Sequence, residues 1–305
     1  MAEAASTTPG ARLAYLLLAA TALMWAGNVI VGRAVRGDVP PVALSFARWA
    51  IAAVLLTPLA WREVWRVRRL IVRNGWQLAW LALLGMTLYN IFSYTSVALT
   101  EALNAAVIIS FMPVLIVLAS WLILGLRVTA GQSIGIGVSL SGVLLIAVRG
   151  DPAALAALRF HEGDLWMLGA GVIWGLYNAY YTRRPAGISQ LALLTVLVWI
   201  GLLGLVPFLL WEQWQGRSVN WSPGALAGMG YVGVFSSTLA YFCWNAGVSV
   251  VGPNRAALFL HLIPVFAIIL AVTVLGERLA WFHLGGVVLV FAGLWLTTGS
   301  GASVR

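Results

Sequence analysis

Residues 248–296 repeat, without a gap, a segment that lies 151 positions earlier, 97–145. Val97, Ala105, Ala106, Pro113, Val114, Leu124, Gly125, Arg127, Gly135, Gly142 and Leu145 match Val248, Ala256, Ala257, Pro264, Val265, Leu275, Gly276, Arg278, Gly286, Gly293 and Leu296. Apolar identity alone would mean little in a chain that is 62% hydrophobic. The shared proline and glycines weigh more, because they set where a backbone bends and how closely helices approach. An internally duplicated chain is predicted to fold as two similar halves, with its working site between them.

Only 9% of the residues are charged, against about 25% in soluble domains. No soluble core absorbs this much apolar sequence, so the chain is expected to be a polytopic membrane protein. The net charge of +9 comes from Arg alone. A basic excess can also mark nucleic-acid binding. Here the Arg residues sit in short gaps between apolar runs, so the expected partners are the lipid bilayer and a small-molecule substrate, with no nucleic acid, and the chain is read as a monomer. The single Cys243 excludes an intramolecular disulfide and a cysteine metal cluster. The three His are far apart, so neither a metal nor a cofactor is expected.

The apolar runs predict an all-α integral membrane fold of ten spans, each near the ~20 residues that cross a bilayer. They lie at roughly 12–32, 41–61, 75–97, 103–125, 130–149, 163–182, 188–211, 223–246, 254–275 and 281–299. Residues 1–10 read as a frayed tail. The first run continues through Val31 with only Arg12 before it, which speaks against a signal peptide. The short connections leave no room for a soluble domain. Two repeats follow, 1–149 and 150–305. Five spans per repeat is an odd number, so the copies enter the membrane with opposite orientation, a recurring plan of secondary transporters.

Orientation follows from the loops. With a cytoplasmic N-terminus, the inner segments carry Arg12, Arg62, Arg66, Arg68, Arg69, Arg73, Arg127, Arg183, Arg184, Arg255 and Arg305. The outer ones carry Arg33, Arg36, Arg149, Arg159, Arg217 and Arg278. Both termini are therefore expected in the cytoplasm.

A protein-lined cavity should place polar and aromatic residues inside spans. Asn90, Ser93 and Tyr94 share one helix face, and the 151-residue offset carries them onto Tyr241, Trp244 and Asn245. The same offset pairs Ser110 with His261, each three residues before its span's proline. Trp25 and Asn28 share a face, as do Trp174, Tyr177, Asn178 and Tyr181. The candidate substrate-binding set is thus Trp25, Asn28, Asn90, Tyr94, Ser110, Trp174, Tyr177, Asn178, Tyr241, Trp244, Asn245 and His261. The competing reading is that Trp and Tyr anchor interfaces while Asn and Ser join helices. That reading fits Trp61, Trp65, Trp76, Trp80, Trp211, Trp214, Trp221 and Trp281, all near span ends.

Arg48 is the one clear intramembrane charge. It either pairs with a substrate carboxylate or, about two turns in from Pro41, snorkels outward or bonds helix-end carbonyls, the reading favoured here. No Asp or Glu falls mid-span, which argues against a carboxylate proton relay. Facilitated diffusion is the expected mechanism, with His261 as the group that would titrate if protons were coupled.

The segment HLIPVFAIILAVTVLGERLAWFHLGGVVLVFAGLWL, with Pro264, the Gly276-Glu277-Arg278 turn and the Gly286/Gly293 spacing, resembles the C-terminal signature of the EamA branch of the drug/metabolite transporter superfamily. The openings ALMWAGNVIVGRAV and ALSFARWAIAAVLL are also similar to that family. The first copy departs from it, with Leu126 where the second has Glu277. The resemblance implies ten helices as two inverted five-helix repeats, a cavity lined by spans 1, 3, 4, 6, 8 and 9, and spans 5 and 10 behind. It implies alternating access and export of amino acids, metabolites or drugs across the bacterial inner membrane. The Trp- and Tyr-rich midplane looks like exporters of aromatic amino acids. A proton-driven exporter of drugs or other metabolites is the alternative. A phosphate-carrying transporter lacks the basic cluster it needs, and an enzyme lacks a nucleophile, base and orienter within reach. A channel would lack the saturation and counterflow of a carrier, and a scaffold fits the duplicated plan less well.

Overall fold

In a membrane no water satisfies the backbone N–H and C=O groups, so the chain closes its hydrogen bonds locally as helix. The structure, a computed structural model that describes residues 9–156, 158–275 and 278–299, follows this rule. The first repeat contains α1 (Pro9–Val35), α2 (Pro41–Arg66), α3 (75–99), α4 (102–124) and α5 (Ala130–Ala147). The second contains α6 (Glu162–Thr182), α7 (Gln190–Trp214), α8 (223–251), α9 (253–275) and α10 (Trp281–Gly299). Among the described residues, nine of these segments are long and apolar enough to cross a membrane. The exception is α6, whose first turn carries Glu162 and Asp164 and whose second half carries Tyr177 and Asn178. Helices α2 and α7 run past their expected ends, through Arg66 and Trp214, because Trp and Arg remain helical where apolar core gives way to headgroups. The Gly276-Glu277 part of the expected turn lies outside the described residues.

The repeats pack by exchange. Helix α1 lies against α8 and α9, and α6 against their counterparts α3 and α4. Helix α2 pairs with α7, and α5 with α10. A pseudo-two-fold axis requires this pattern. Equivalent residues in the first two helices of each repeat are 149 apart, as Trp25/Trp174, Pro58/Pro207 and Glu63/Glu212 show.

Small residues make the α5–α10 seam. A Cβ on Gly142 would stand 2.6 Å from the Gly286 carbonyl oxygen, and one on Gly135 2.6 Å from that of Gly293. The two contacts are images of each other under the axis. Backbones this close gain dispersion contacts that lipid tails cannot supply. Gly125 closes α4 in the left-handed conformation, with φ +70°.

The α2–α7 pair is fastened at both ends by equivalent glutamates. The Glu212 carboxylate accepts from the backbone N–H groups of Val42 (3.0 Å) and Ala43 (2.8 Å), capping the N-terminus of α2. Pro40, the N-cap residue, has no side-chain acceptor to do this itself. At the other end the Ser189 hydroxyl, N-cap of α7, donates to Glu63 at 2.5 Å. Outward faces carry exposed apolar side chains such as Leu16, Val54, Leu122, Leu203 and Val288, suited to lipid.

Gly142→Ala is expected to destabilise the protein by about 1–3 kcal/mol, the usual result of forcing volume into a packed seam. Gly137→Ala, which meets nothing within 4 Å, should leave the thermal midpoint in detergent unchanged. Equal midpoints for the two variants would refute the seam as a stabilising contact. Glu212→Ala should lose about 0.5–2 kcal/mol, as loss of a helix N-cap does, measured by the same thermal scan.

Candidate functional site

Trp25 of α1 and Trp174 of α6 are repeat equivalents, and they meet edge to face with centroids 5.5 Å apart. Trp244 and Tyr241 of α8 complete the cluster. Trp25 lies 5.3 Å from Trp244 and 5.8 Å from Tyr241, and Trp174 lies 5.8 and 5.7 Å from the same two rings. Tyr177 stacks on Trp174 at 5.2 Å. Trp49 and Tyr89, which the sequence did not single out, join against Tyr241 (4.9 Å) and Trp174 (4.9 Å), and Tyr181, placed on the Trp174 face by the sequence, packs on Tyr177 (5.8 Å). Each such pair is worth about 0.5–1.5 kcal/mol beyond burial. Gly85 admits the Tyr177 ring, since a Cβ there would stand 2.5 Å from it.

Both α3 and α8 widen into a π-helical stretch near mid-length, at Leu83–Leu88 and Val232–Leu239. Such stretches are rare and recur at functional sites. Gly85 and Ser236 are equivalent positions within them, and both backbone carbonyls accept a side-chain donor from the other repeat. Tyr241 Oη–H donates to Gly85 at 3.1 Å, and Trp25 Nε1–H to Ser236 at 3.1 Å.

The amides interleave with the rings. Trp244 Nε1–H donates to Asn178 Oδ1 at 2.8 Å, and Tyr177 Oη–H to Asn245 Oδ1 at 3.0 Å. Asn178 Nδ2 is spent on its own helix, at the Trp174 carbonyl. Asn245 Nδ2 and Asn28 Oδ1 are buried atoms without a hydrogen-bond partner. Asn90 Oδ1 and Tyr94 Oη both accept from Arg48 Nη1 at 3.3 Å.

Arg48 does not snorkel and does not bond helix-end carbonyls. Only 4% exposed, it points inward between α3 and α8. Its Nε–H donates to Ser237 Oγ at 2.6 Å and its Nη2 to the mid-helix carbonyl of Ser236 at 3.3 Å. The hydroxyl run Ser236-Ser237-Thr238, buried in the middle of α8, was the sequence signal for this polar patch.

Ser110 and His261 form a separate pair. His261 Nε2 lies 2.9 Å from the Ser110 carbonyl, which can only accept, so this nitrogen carries a proton. Nδ1 lies 2.6 Å from Ser139 Oγ, which donates to it when the ring is neutral. Both ring nitrogens are thus engaged within the protein. Ser139, on α5, was not expected to take part. The partners of Ser110 and His261 are one another, Ser139 and the Val107 carbonyl, none of them in the ring cluster.

Of the belt Trp residues, Trp61, Trp65, Trp76, Trp211, Trp214, Trp221 and Trp281 are exposed, while Trp80 packs edge-on against Tyr180. No group of three or more metal-ligating side chains occurs among the described residues. Two surface clefts, of about 370 and 220 Å³, lie at helix ends beside Glu212 and Asp164 rather than at the rings.

The EamA-like transporter family matches residues 12–148 and 161–299, one match per repeat. An uncharacterized transporter of Archaeoglobus fulgidus is 29% identical over 287 residues, covering 93% of this chain and 96% of that one. A probable terminal-alkyne amino-acid exporter of Streptantibioticus cattleyicolor is 28% identical over 283 residues, covering 92% and 91%. A crystal structure superposes with a TM-score of 0.78 over 93% of this chain and 96% of its own, at 19% identity, which shows a shared fold. With nearly its whole length matched as two copies of one helical unit, the chain belongs to the EamA-like transporter family and is a multi-pass membrane transporter rather than an enzyme.

Proposed function

We propose that this transporter exports amino acids, aromatic or large neutral ones foremost, across the bacterial inner membrane by alternating access. The observation that carries this reading is the central cluster of Trp25, Trp174, Tyr241 and Trp244, drawn from both repeats and interleaved with Asn178 and Asn245. Rings stack on rings, so a planar side chain can replace a protein neighbour at little loss. Neutral amides suit a zwitterion, which needs hydrogen bonds more than net charge. The resemblance to a probable amino-acid exporter supports the same substrate class.

Each half, 1–149 and 150–305, would act as a unit that rocks against the other about the ring cluster. Spans α1, α3, α6 and α8 would line the path, with α2 contributing Trp49 and Arg48. Helix α6 would be the tenth span, its polar face turned to the path. The excess of Arg in the 62–73 segment and at Arg127, Arg183, Arg184 and Arg255 would hold both termini in the cytoplasm.

Facilitated diffusion remains the mechanism of choice over proton antiport. Among the described residues the two most buried acids, Asp164 and Glu212, sit at helix ends and are spent on structural bonds. Asp164 accepts from Thr100, from Asn104 Nδ2 at 2.8 Å and from the His161 N–H at 2.8 Å. His261 has both nitrogens occupied.

Purified protein in liposomes without an ion gradient should take up labelled Phe, Trp and Leu saturably, faster when preloaded with the same amino acid. Trp174→Ala and Trp244→Ala should each weaken half-saturation for Trp by about two- to twelvefold, one stacking pair's worth, and leave Leu nearly unchanged. An unaltered Trp:Leu ratio in both variants would remove the aromatic cluster as the selectivity site. Uphill accumulation driven by an imposed proton gradient would replace facilitated diffusion with antiport.

A further inference from the structure

We propose that Arg48 is the receptor for the carboxylate of the transported solute, so that the site selects molecules joining an anionic group to an apolar or aromatic body. This assignment rests on the amino-acid reading and sharpens it. Arg48 is a guanidinium inside the bundle, 4% exposed. Among the described residues no carboxylate lies within ion-pair distance of it, the ion pairs there being Arg66–Glu63 and His161–Glu101. Its neighbours are neutral: the Ser237 hydroxyl, the Asn90 amide oxygen, the Tyr94 hydroxyl, the Ser236 carbonyl and the face of Trp49, 5.3 Å from its Cζ.

A buried charge held only by dipoles is expensive, and inside a membrane such residues mark substrate paths. A purely structural post could be filled by a neutral donor such as Gln without desolvating a charge. Three of the four hydrogen bonds are 3.3 Å long, so the planar fork can be re-aimed at small loss. A carboxylate presents the matching pair of acceptors and forms shorter, stronger bonds.

The guanidinium is also beside the rings. The Ser236 carbonyl accepts from Arg48 Nη2 and from Trp25 Nε1 together. Trp49, under the guanidinium, touches Tyr241, which touches Trp25 and Trp174. One molecule can therefore place an anion on Arg48 and its body among the rings. Asn28 lies three residues along α1 from Trp25, on the same face. Its unpartnered Oδ1 is an acceptor for an ammonium group. The second repeat has Leu197 at the position equivalent to Arg48, so the site offers one carboxylate receptor.

Counterflow of labelled tryptophan into liposomes, competed by tryptophan analogues, tests the assignment on the wild-type protein. Indole-3-propionate, which keeps the carboxylate, should compete. Tryptamine, which keeps the ring and ammonium but lacks the carboxylate, should compete about thirtyfold less well, the weakening expected when a buried charge loses its partner. Arg48→Gln should slow tryptophan counterflow without abolishing it and bring the tryptophan:tryptamine competition ratio near one, while Arg48→Lys retains part of the preference. The ratio is read within one preparation, so a less stable variant does not mimic the result. Tryptamine competing as well as tryptophan, or a folded Arg48→Gln protein with wild-type preference, overturns the assignment while leaving amino-acid transport standing. If the wild type moves no amino acid, the amino-acid reading falls, and this assignment with it.

Discussion

One hydrogen bond marks the axis on which the molecule is built. His261 donates to the carbonyl of Ser110, its own counterpart 151 residues away. A residue can touch its equivalent only where the symmetry axis passes between them. Trp25 against Trp174 is a second such contact, and the two α5–α10 glycine contacts are images of each other about the same line. The rings, the π-helical carbonyls of Gly85 and Ser236 and the paired glutamates of α2 and α7 all occur as images about this line. The candidate site lies at the centre, where the rings of both halves meet.

The same symmetry explains how such a bundle can alternate. Contacts across the axis come in pairs that can be exchanged, so an arrangement closed on one side has an image closed on the other. The energies of the two need not match. His261 corresponds to Ser110, Tyr241 to Asn90, and Leu197 to Arg48. Unlike equivalents of this kind bias the two states unequally, and a solute shifts their balance only by binding one state better than the other. The α5–α10 glycine seam, with backbones too close to admit a Cβ, is too tightly fitted to slide and suits a fixed support.

What was legible in the sequence was whatever depends on spacing along one helix. The repeat, the helical segments, the shared faces of Trp25 with Asn28 and of Trp174 with Tyr177, and the counterparts Ser110 and His261 are properties of a single helix or of the offset. What was not legible depends on how one helix is rotated against another. Arg48 has the same depth whether it faces lipid or bundle, and only the packing of α2 against α3 and α8 decides. Ser139 joins His261 for the same reason. The π-helical stretches escaped because Leu83–Leu88 and Val232–Leu239 contain ordinary helix-compatible residues, and the widening registers only as a change of hydrogen-bond partner. The bonds from α2 to Glu212 were hidden too, since a glutamate at a helix end reads as solvent-facing until a neighbouring helix brings two free N–H groups to it.

Arg48 shows why the polar centre is asymmetric. Symmetric charges would place two guanidiniums across the axis, repelling each other through a low dielectric. One charge, with Leu197 at the equivalent position of the other repeat, avoids that repulsion and leaves a net positive centre. The neutral groups around it stabilise the cation without cancelling it, as a paired carboxylate would. An anionic group entering the centre then gains from the uncompensated charge, whereas a cation meets it as a barrier. On the proposed reading, the rings would select the body of the solute and the Arg48 guanidinium its sign.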